Sequence, residues 1–281
     1  VCGRQNMRGK RVMTDFWITA LYGLCIMLAM GFVTWLYSLW RNDVSIVDSL
    51  WSLMFLAGAV TYAFAAENLD WGKLLLLALV TVWALRLSVF LTVRNWGEPE
   101  DRRYQEIRAN NEPHFNIKSL YIIFGLQAVL AWVISMPLLA ALSADTGPGV
   151  IVLVAAGLWL IGFVFEAVAD QQLYRFKSNP ENKGKVLDSG LWAYSRHPNY
   201  FGEFLIWWGF FLFALSAGGW WTVFSPVLMT VLLLKVSGVS LMEKGITERR
   251  TAYRNYIEST NAFFPGKPRP DRVYLEGGQH S

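Results

Sequence analysis

Seven apolar stretches, each near the length needed to cross a bilayer, leave this chain few ways to fold. A helix spanning the hydrocarbon core needs about 20 apolar residues, and within that core each backbone N–H and C=O must be satisfied internally. The stretches are Phe16–Trp40, Ser45–Ala66, Trp71–Val93, Leu120–Leu142, Gly149–Ala169, Tyr200–Ala217 and Trp220–Leu241. Of 281 residues, 54% are hydrophobic and 16% charged, whereas a soluble domain carries about a quarter charged residues. The mean hydropathy is +0.32. Many of the 14 Trp lie near the ends of apolar runs, where interfacial aromatics belong. The expected fold is an all-α integral membrane protein with seven transmembrane helices in one bundle.

Three polar segments lie outside the runs: Arg94–Ser119, Gln171–Asn199 and Glu243–Ser281. Seven crossings put all three on one side, and their Lys and Arg residues make that side cytoplasmic. The opposite connections, Glu67–Asp70 and Ser143–Pro148, carry no Lys or Arg. The N-terminus, with Arg4, Arg8, Lys10 and Arg11, runs against this orientation, and six or eight crossings would remove the conflict. Met7 is a candidate native start, and the first run is long enough to span rather than serve as a cleavable signal. The expected division is a polar N-terminal segment 1–14, a membrane domain 15–265 and a polar tail 266–281. The net charge of +4 suits cytoplasmic loops and gives no nucleic-acid surface. Cys2 and Cys25 suggest neither a disulfide framework nor a metal site.

Ionisable groups at membrane depth cost a few kcal/mol each and usually face a cavity or a partner. Asp48, Arg86, Glu166, Asp170 and Glu203 stand at such depth. Glu166 and Asp170 are spaced i, i+4 and share a helix face, as do Asn199 and Glu203. Ion pairing or snorkelling accounts for some of them. Their shared position toward the cytoplasmic half favours one pocket open to the cytosol.

The segment Gly190–Glu203 brings Tyr194, Arg196, His197, Asn199, Tyr200 and Glu203 to the point where a polar loop turns apolar. Lys177, Lys185, Arg196 and Arg250 offer charge for phosphates. Tyr194, Tyr200 and Tyr253 offer rings or hydroxyls to a flat ligand. Each alone is an ordinary loop residue, and the case rests on clustering. No G-x-G-x-x-G, P-loop or serine-nucleophile pattern is present. His114, His197 and His280 are too scattered in the sequence for a metal centre.

The pattern Gly190-x-x-x-Tyr194-x-Arg196-His197-Pro198-Asn199-Tyr200-x-Gly202-Glu203, with the later Glu243-x5-Arg249-Arg250-x2-Tyr253-x2-Tyr256, resembles the steroid 5α-reductase family and its bacterial relatives. The resemblance spans roughly Ser45 to Pro265 and is most specific in the C-terminal third. It implies cytosolic loops that close an NADPH pocket on the helical bundle. By position it assigns Asn199 and Glu203 to the nicotinamide end and Asp170, Lys185 and Arg86 to the cofactor. Glu166, Lys177, Tyr194, Arg196, His197, Tyr200, Glu243, Arg250 and Tyr253 join as further cofactor-pocket candidates. Asp48 falls where the family carries the acid at the 3-keto oxygen, with Val47 in place of a neighbouring Gln and Trp83 in place of a Tyr.

The implied activity is NADPH-dependent reduction of the C4–C5 double bond of a 3-oxo-Δ4 steroid or sterol-like substrate. Asp48, kept protonated by an apolar cavity, would donate to the keto oxygen. Trp51, Phe55 and Trp83 would line the ring slot. No metal is called for, and a monomer in the lipid bilayer is the default expectation. The membrane is the bacterial inner membrane, or the ER of a eukaryote, with the C-terminus cytoplasmic. The R-H-P-x-Y-x-G words are shared with isoprenylcysteine and phospholipid methyltransferases that bind S-adenosylmethionine. That reading, and a transporter, are the alternatives.

Overall fold

Long apolar runs become helices because no other local structure satisfies their peptide groups in lipid, and polar residues at the ends decide where each one stops. The structure, a computed structural model, describes residues 2–236 and 251–269. Among the described residues there is no strand. The helices are α1 (Cys2–Arg41), α2 (Ile46–Phe64), α3 (Trp71–Asn95), α4 (Arg102–Asn110), α5 (Phe115–Ile134), α6 (Met136–Ser143), α7 (Gly149–Ser178), α8 (Pro198–Ser216), α9 (Phe224–Val231) and α10 (Thr251–Ser259). Among the described residues five are long and apolar enough to cross a membrane: the Asp15–Arg41 part of α1, then α2, α3, α5 and α7. The sixth expected run is helical as α8 but is not among these five. The seventh begins as a 3-10 turn and α9, an apolar helical stretch of Trp220–Lys235, and the rest of it lies outside the described residues.

The chain divides into two compact units. One comprises Val1–Leu153 with Phe210–Ser225, and the other Val154–Gly209 with Pro226–Ser281.

In the first unit, Asp70 caps α3 by accepting from the N–H groups of Gly72 and Lys73 at 2.9 and 3.1 Å. It also accepts from the N–H of Thr146 at 3.0 Å and from the Thr146 hydroxyl. One carboxylate thus staples the α2–α3 connection to the α6–α7 connection. Burial opposes its charge, but the bonds from Thr146 and the Lys73 N–H, with the Lys73 ammonium nearby, hold it below the usual carboxylate range. Asp70→Ala should cost about 1–2 kcal/mol of stability in detergent, as lost helix caps do. Because the folded-state pKa is depressed, this contribution is present at neutral pH and fades as pH falls through the acid range. Thermal unfolding at two pH values checks both statements.

The expected run Leu120–Leu142 is broken after Ile134. Pro137 cannot donate to the preceding turn and its ring crowds the carbonyl behind it, so the chain restarts as α6. Side chains compensate at the break. Ser225 donates to the Ile134 carbonyl at 2.5 Å, and the Tyr62 and Ser135 hydroxyls pair at 2.8 Å.

The Arg94–Ser119 segment, expected as a polar link, contains α4. Asp101 caps it, accepting from the Arg103 N–H at 2.9 Å. Arg108 grips Glu100 with two N–H groups at 3.0 and 2.7 Å, and Glu100 also accepts from the Val44 N–H at 2.9 Å. Tyr104 joins Val44, Val47, Phe115, Ile123 and Phe124 in a small core. The segment is therefore docked on the start of α2.

In the second unit, α7 and α8 cross backbone to backbone. A Cβ on Gly202 would stand 2.5 Å from the Glu166 nitrogen and 2.6 Å from the Gly162 oxygen, and one on Gly162 would stand 2.6 Å from the Gly202 oxygen.

Candidate functional site

The close α7–α8 crossing brings Asp170 and Asn199 together in the second unit. The i, i+4 periodicity of α7 puts Glu166 and Asp170 on one face, both buried. The first turns of α8 carry Asn199 and Glu203 in the same register. The Asn199 side-chain amide donates to Asp170 at 3.2 Å. Removing these groups from water is costly unless they pair or meet a ligand. The imidazole of His197, buried, lies parallel to the Tyr200 ring at 5.6 Å.

The loop leading into α8 is fixed from two sides. On the α7 side, Gln172 accepts from the Leu191 N–H at 3.0 Å, and the Trp192 indole donates to the Ala169 carbonyl at 3.1 Å. Gly190 turns there with φ +62°, and the Gln172 side chain occupies the space its Cβ would need. On the other side the loop is knitted to α10 and the residues after it. Arg196, expected at the cofactor phosphates, is buried and donates from Nη1 to the carbonyls of Ile257 and Thr260 at 3.0 and 2.5 Å. Its guanidinium caps the C-terminal end of α10, where a cation suits the exposed carbonyls and the dipole. The Arg196 N–H donates to the Asn261 carbonyl at 2.9 Å and the Ser195 hydroxyl to the Phe263 carbonyl at 2.8 Å. Tyr256 donates to the Trp192 carbonyl at 2.5 Å. Phe263 and Phe264 then pack on Phe201 and Phe204 with centroids 5.7–6.1 Å apart.

Among the other expected cofactor residues, Lys177 and Lys185 are exposed at the end of α7 and in the loop beyond it, and Tyr194 is exposed. Tyr253 is buried on α10, edge-on to Tyr256 at 5.7 Å. Glu243 and Arg250 lie outside the described residues.

Asp48, Trp51, Phe55, Trp83 and Arg86 belong to the first unit. Arg86 is half-buried on α3, with Nε and Nη2 shielded from solvent. Trp51, Phe55 and Trp83 form a chain of ring contacts at 5.0 and 5.9 Å, extended by Phe210 at 6.0 Å from Trp83. Phe55 and Trp83 have no exposed surface. Asp48 stands in a setting different from the apolar cavity expected of it. One oxygen accepts from the Arg103 guanidinium at 2.9 Å and the other from the Tyr104 hydroxyl at 2.6 Å. Burial and the Asp48 charge push the Tyr104 phenol well above its ordinary value, so it stays a neutral donor. Arg103 and Tyr104 were not singled out from the sequence. The available signal was a basic and aromatic pair in the connection nearest an intramembrane acid that needed a partner.

Among the described residues no group of three or more metal-ligating side chains occurs. Residues 34–260 match the model of a family described as a protein of unknown function, DUF1295. Over 290 aligned positions the chain is 28% identical to the uncharacterized protein C594.04c of Schizosaccharomyces pombe, covering 92% of this chain and 83% of that one. A shorter match, 35% identical over 68 residues, joins it to 3-oxo-5-alpha-steroid 4-dehydrogenase 1 of Bos taurus and covers 24% of this chain and 26% of the bovine enzyme. No solved structure matches. The chain belongs to the DUF1295 family, a family related to the steroid 5-alpha-reductases.

Proposed function

We propose that this protein is an NADPH-dependent membrane reductase that saturates the C4–C5 double bond of a 3-oxo-Δ4 steroid or a similar flat enone. The observation that carries the reading is the hydrogen bond between buried Asp170 on α7 and half-buried Asn199 at the start of α8, in the segment that resembles the reductases. The partial match to the bovine steroid dehydrogenase supports the same chemistry. In this reading α8 and the helix from Trp220 complete seven spans, and the polar loops and the C-terminus face the cytoplasm.

The residues fit a nicotinamide. A primary carboxamide both donates and accepts, and a side-chain amide beside a carboxylate offers both complements. Asn199, Asp170 and Glu203 would hold that end, with Glu166 as a further pocket residue and Lys177 and Lys185 toward the phosphates. His197 and Tyr200 offer stacked rings beside them. NADPH, when bound, supplies the hydride. Asp48 stands at the carbonyl end, and half-buried Trp51 would meet the ring skeleton, backed by the fully packed rings of Phe55 and Trp83. Asp48 accepts from both Arg103 and Tyr104, and in this reading it aims those two donors.

The purified protein, given NADPH and a 3-oxo-Δ4 steroid, should lose nicotinamide absorbance in step with saturated ketone formed. Asn199→Ala should weaken NADPH binding about tenfold, or about 1.4 kcal/mol. A protein that binds S-adenosylmethionine and ignores NADPH would overturn the reading in favour of methyl transfer.

A further inference from the structure

The guanidinium of Arg103 is held on two edges and open on the third. Nε donates to Asp101 at 3.0 Å, and Nη2 donates to Asp48 at 2.9 Å and to Asp101 at 3.2 Å. Nη1 donates to no protein atom among the described residues. The side chain retains 34% of its surface. Two carboxylates on separate elements, the α4 cap and the first turn of α2, thus fix the plane of a permanent cation and leave one face for something else. Burial opposes both charges, but the Asp48 carboxylate, with Asp101 beside it, raises the Arg103 guanidinium, and Arg103 in turn lowers Asp101. The second oxygen of Asp48 is committed to Tyr104, so the pair cannot slip sideways. Trp51, one turn along α2 from Asp48, begins the chain of rings that runs on through Phe55 and Trp83. A cation fixed at the polar end of an aromatic wall suits an amphiphile that carries its oxygen at one end of a flat apolar body.

Resting on the reductase reading, we propose that Arg103, through Nη1, is the group that receives the ligand's carbonyl oxygen and stabilises the negative charge that develops on it, with Asp48 and Asp101 as its positioning residues. A bound NADPH would supply the hydride for the new C–H bond at the β carbon and would be left as NADP+. The double-bond electron pair shifts toward the carbonyl, giving an enolate. The enolate oxygen lies on Nη1 until the α carbon takes a proton from water, which restores the ketone. Arg103 gives up no proton. A preoriented charge of this kind needs no reorganisation when the oxyanion forms.

The test compares two ligands of one ring skeleton, a neutral ketone and a carboxylate standing where the enolate oxygen would be, in the full chain with NADP+ present. Wild type should bind the carboxylate about tenfold more tightly than the ketone, as transition-state mimics bind. Arg103→Met should abolish that preference. Because it strands two carboxylates, the double variant Arg103→Met/Asp48→Asn and the charge-preserving Arg103→Lys are measured beside it. The double variant should also show no preference, and Arg103→Lys should keep part of it. Turnover in Arg103→Met should fall about a hundredfold, as when an oxyanion donor is removed, with NADPH affinity unchanged. Equal binding of the two ligands by wild type overturns the proposal. A loss confined to NADPH affinity also overturns it, moving the donor to a cofactor phosphate. Failure of wild type to oxidise NADPH with any enone would sink the reductase reading instead, and the ligand preference would still report on Arg103 by itself.

Discussion

Gly202→Ala should cost about 3 kcal/mol or more, because the added methyl meets backbone rather than a side chain that can turn aside. The neighbours are the Glu166 nitrogen at 2.5 Å and the Gly162 oxygen at 2.6 Å. Relief would require α7 and α8 to separate, and that would pull Asp170 from Asn199. Gly162→Ala presses on the same crossing from the other helix, so the two changes should be far from additive. Gly157 lies on α7 with nothing within 4 Å of its Cβ position, and Gly157→Ala is the matched control, near neutral or slightly stabilising. Thermal unfolding in detergent and NADPH affinity provide the readouts. If Gly202→Ala behaved like Gly157→Ala, the helices would have to cross elsewhere.

Arg196→Met should be the second severe change, at about 3 kcal/mol. It removes two charge-assisted hydrogen bonds and leaves the carbonyls of Ile257 and Thr260 without that donor. The loss should show without any ligand, together with faster proteolytic cleavage around Asn261–Gly266. Arg196→Lys should recover only part of it, since one ammonium cannot reproduce a planar fork. Unchanged stability with weakened NADPH binding would return Arg196 to the phosphates, where its position in the motif suggested it belonged.

The features legible in the sequence are those set by neighbours along the chain. The first span was expected as Phe16–Trp40 and is Asp15–Arg41. The third was expected as Trp71–Val93 and is α3, Trp71–Asn95. Both are long, apolar and free of Pro, so composition alone defines them. The fourth run was drawn through Pro137, where apolarity continues but the helix cannot. The i, i+4 pairs Glu166–Asp170 and Asn199–Glu203 could be seen as helix faces before the helices themselves were. The bond between those faces depends on Gly162 and Gly202 touching, and no local pattern announces that. Asp48 was recognisable as an acid at membrane depth, but its partners are 55 and 56 residues away, on a helix too short and polar to stand out. The backbone partners of Arg196 were hidden for the same reason. Its motif pointed to a ligand, while its acceptors are backbone carbonyls 61 and 64 residues further on, and any sequence can supply those.

That separation has a consequence for biosynthesis. The loop at the head of α8 can bond to α7 as soon as it emerges, but it acquires its second set of anchors only when the ribosome has moved past Thr260, long after the first crossings have entered the bilayer. The early helices can settle as they emerge, but Arg196, just ahead of Asn199, must wait for nascent polypeptide made more than sixty residues later. A truncated product ending before α10 would therefore reach the membrane with its spans in place and its most polar corner unmade.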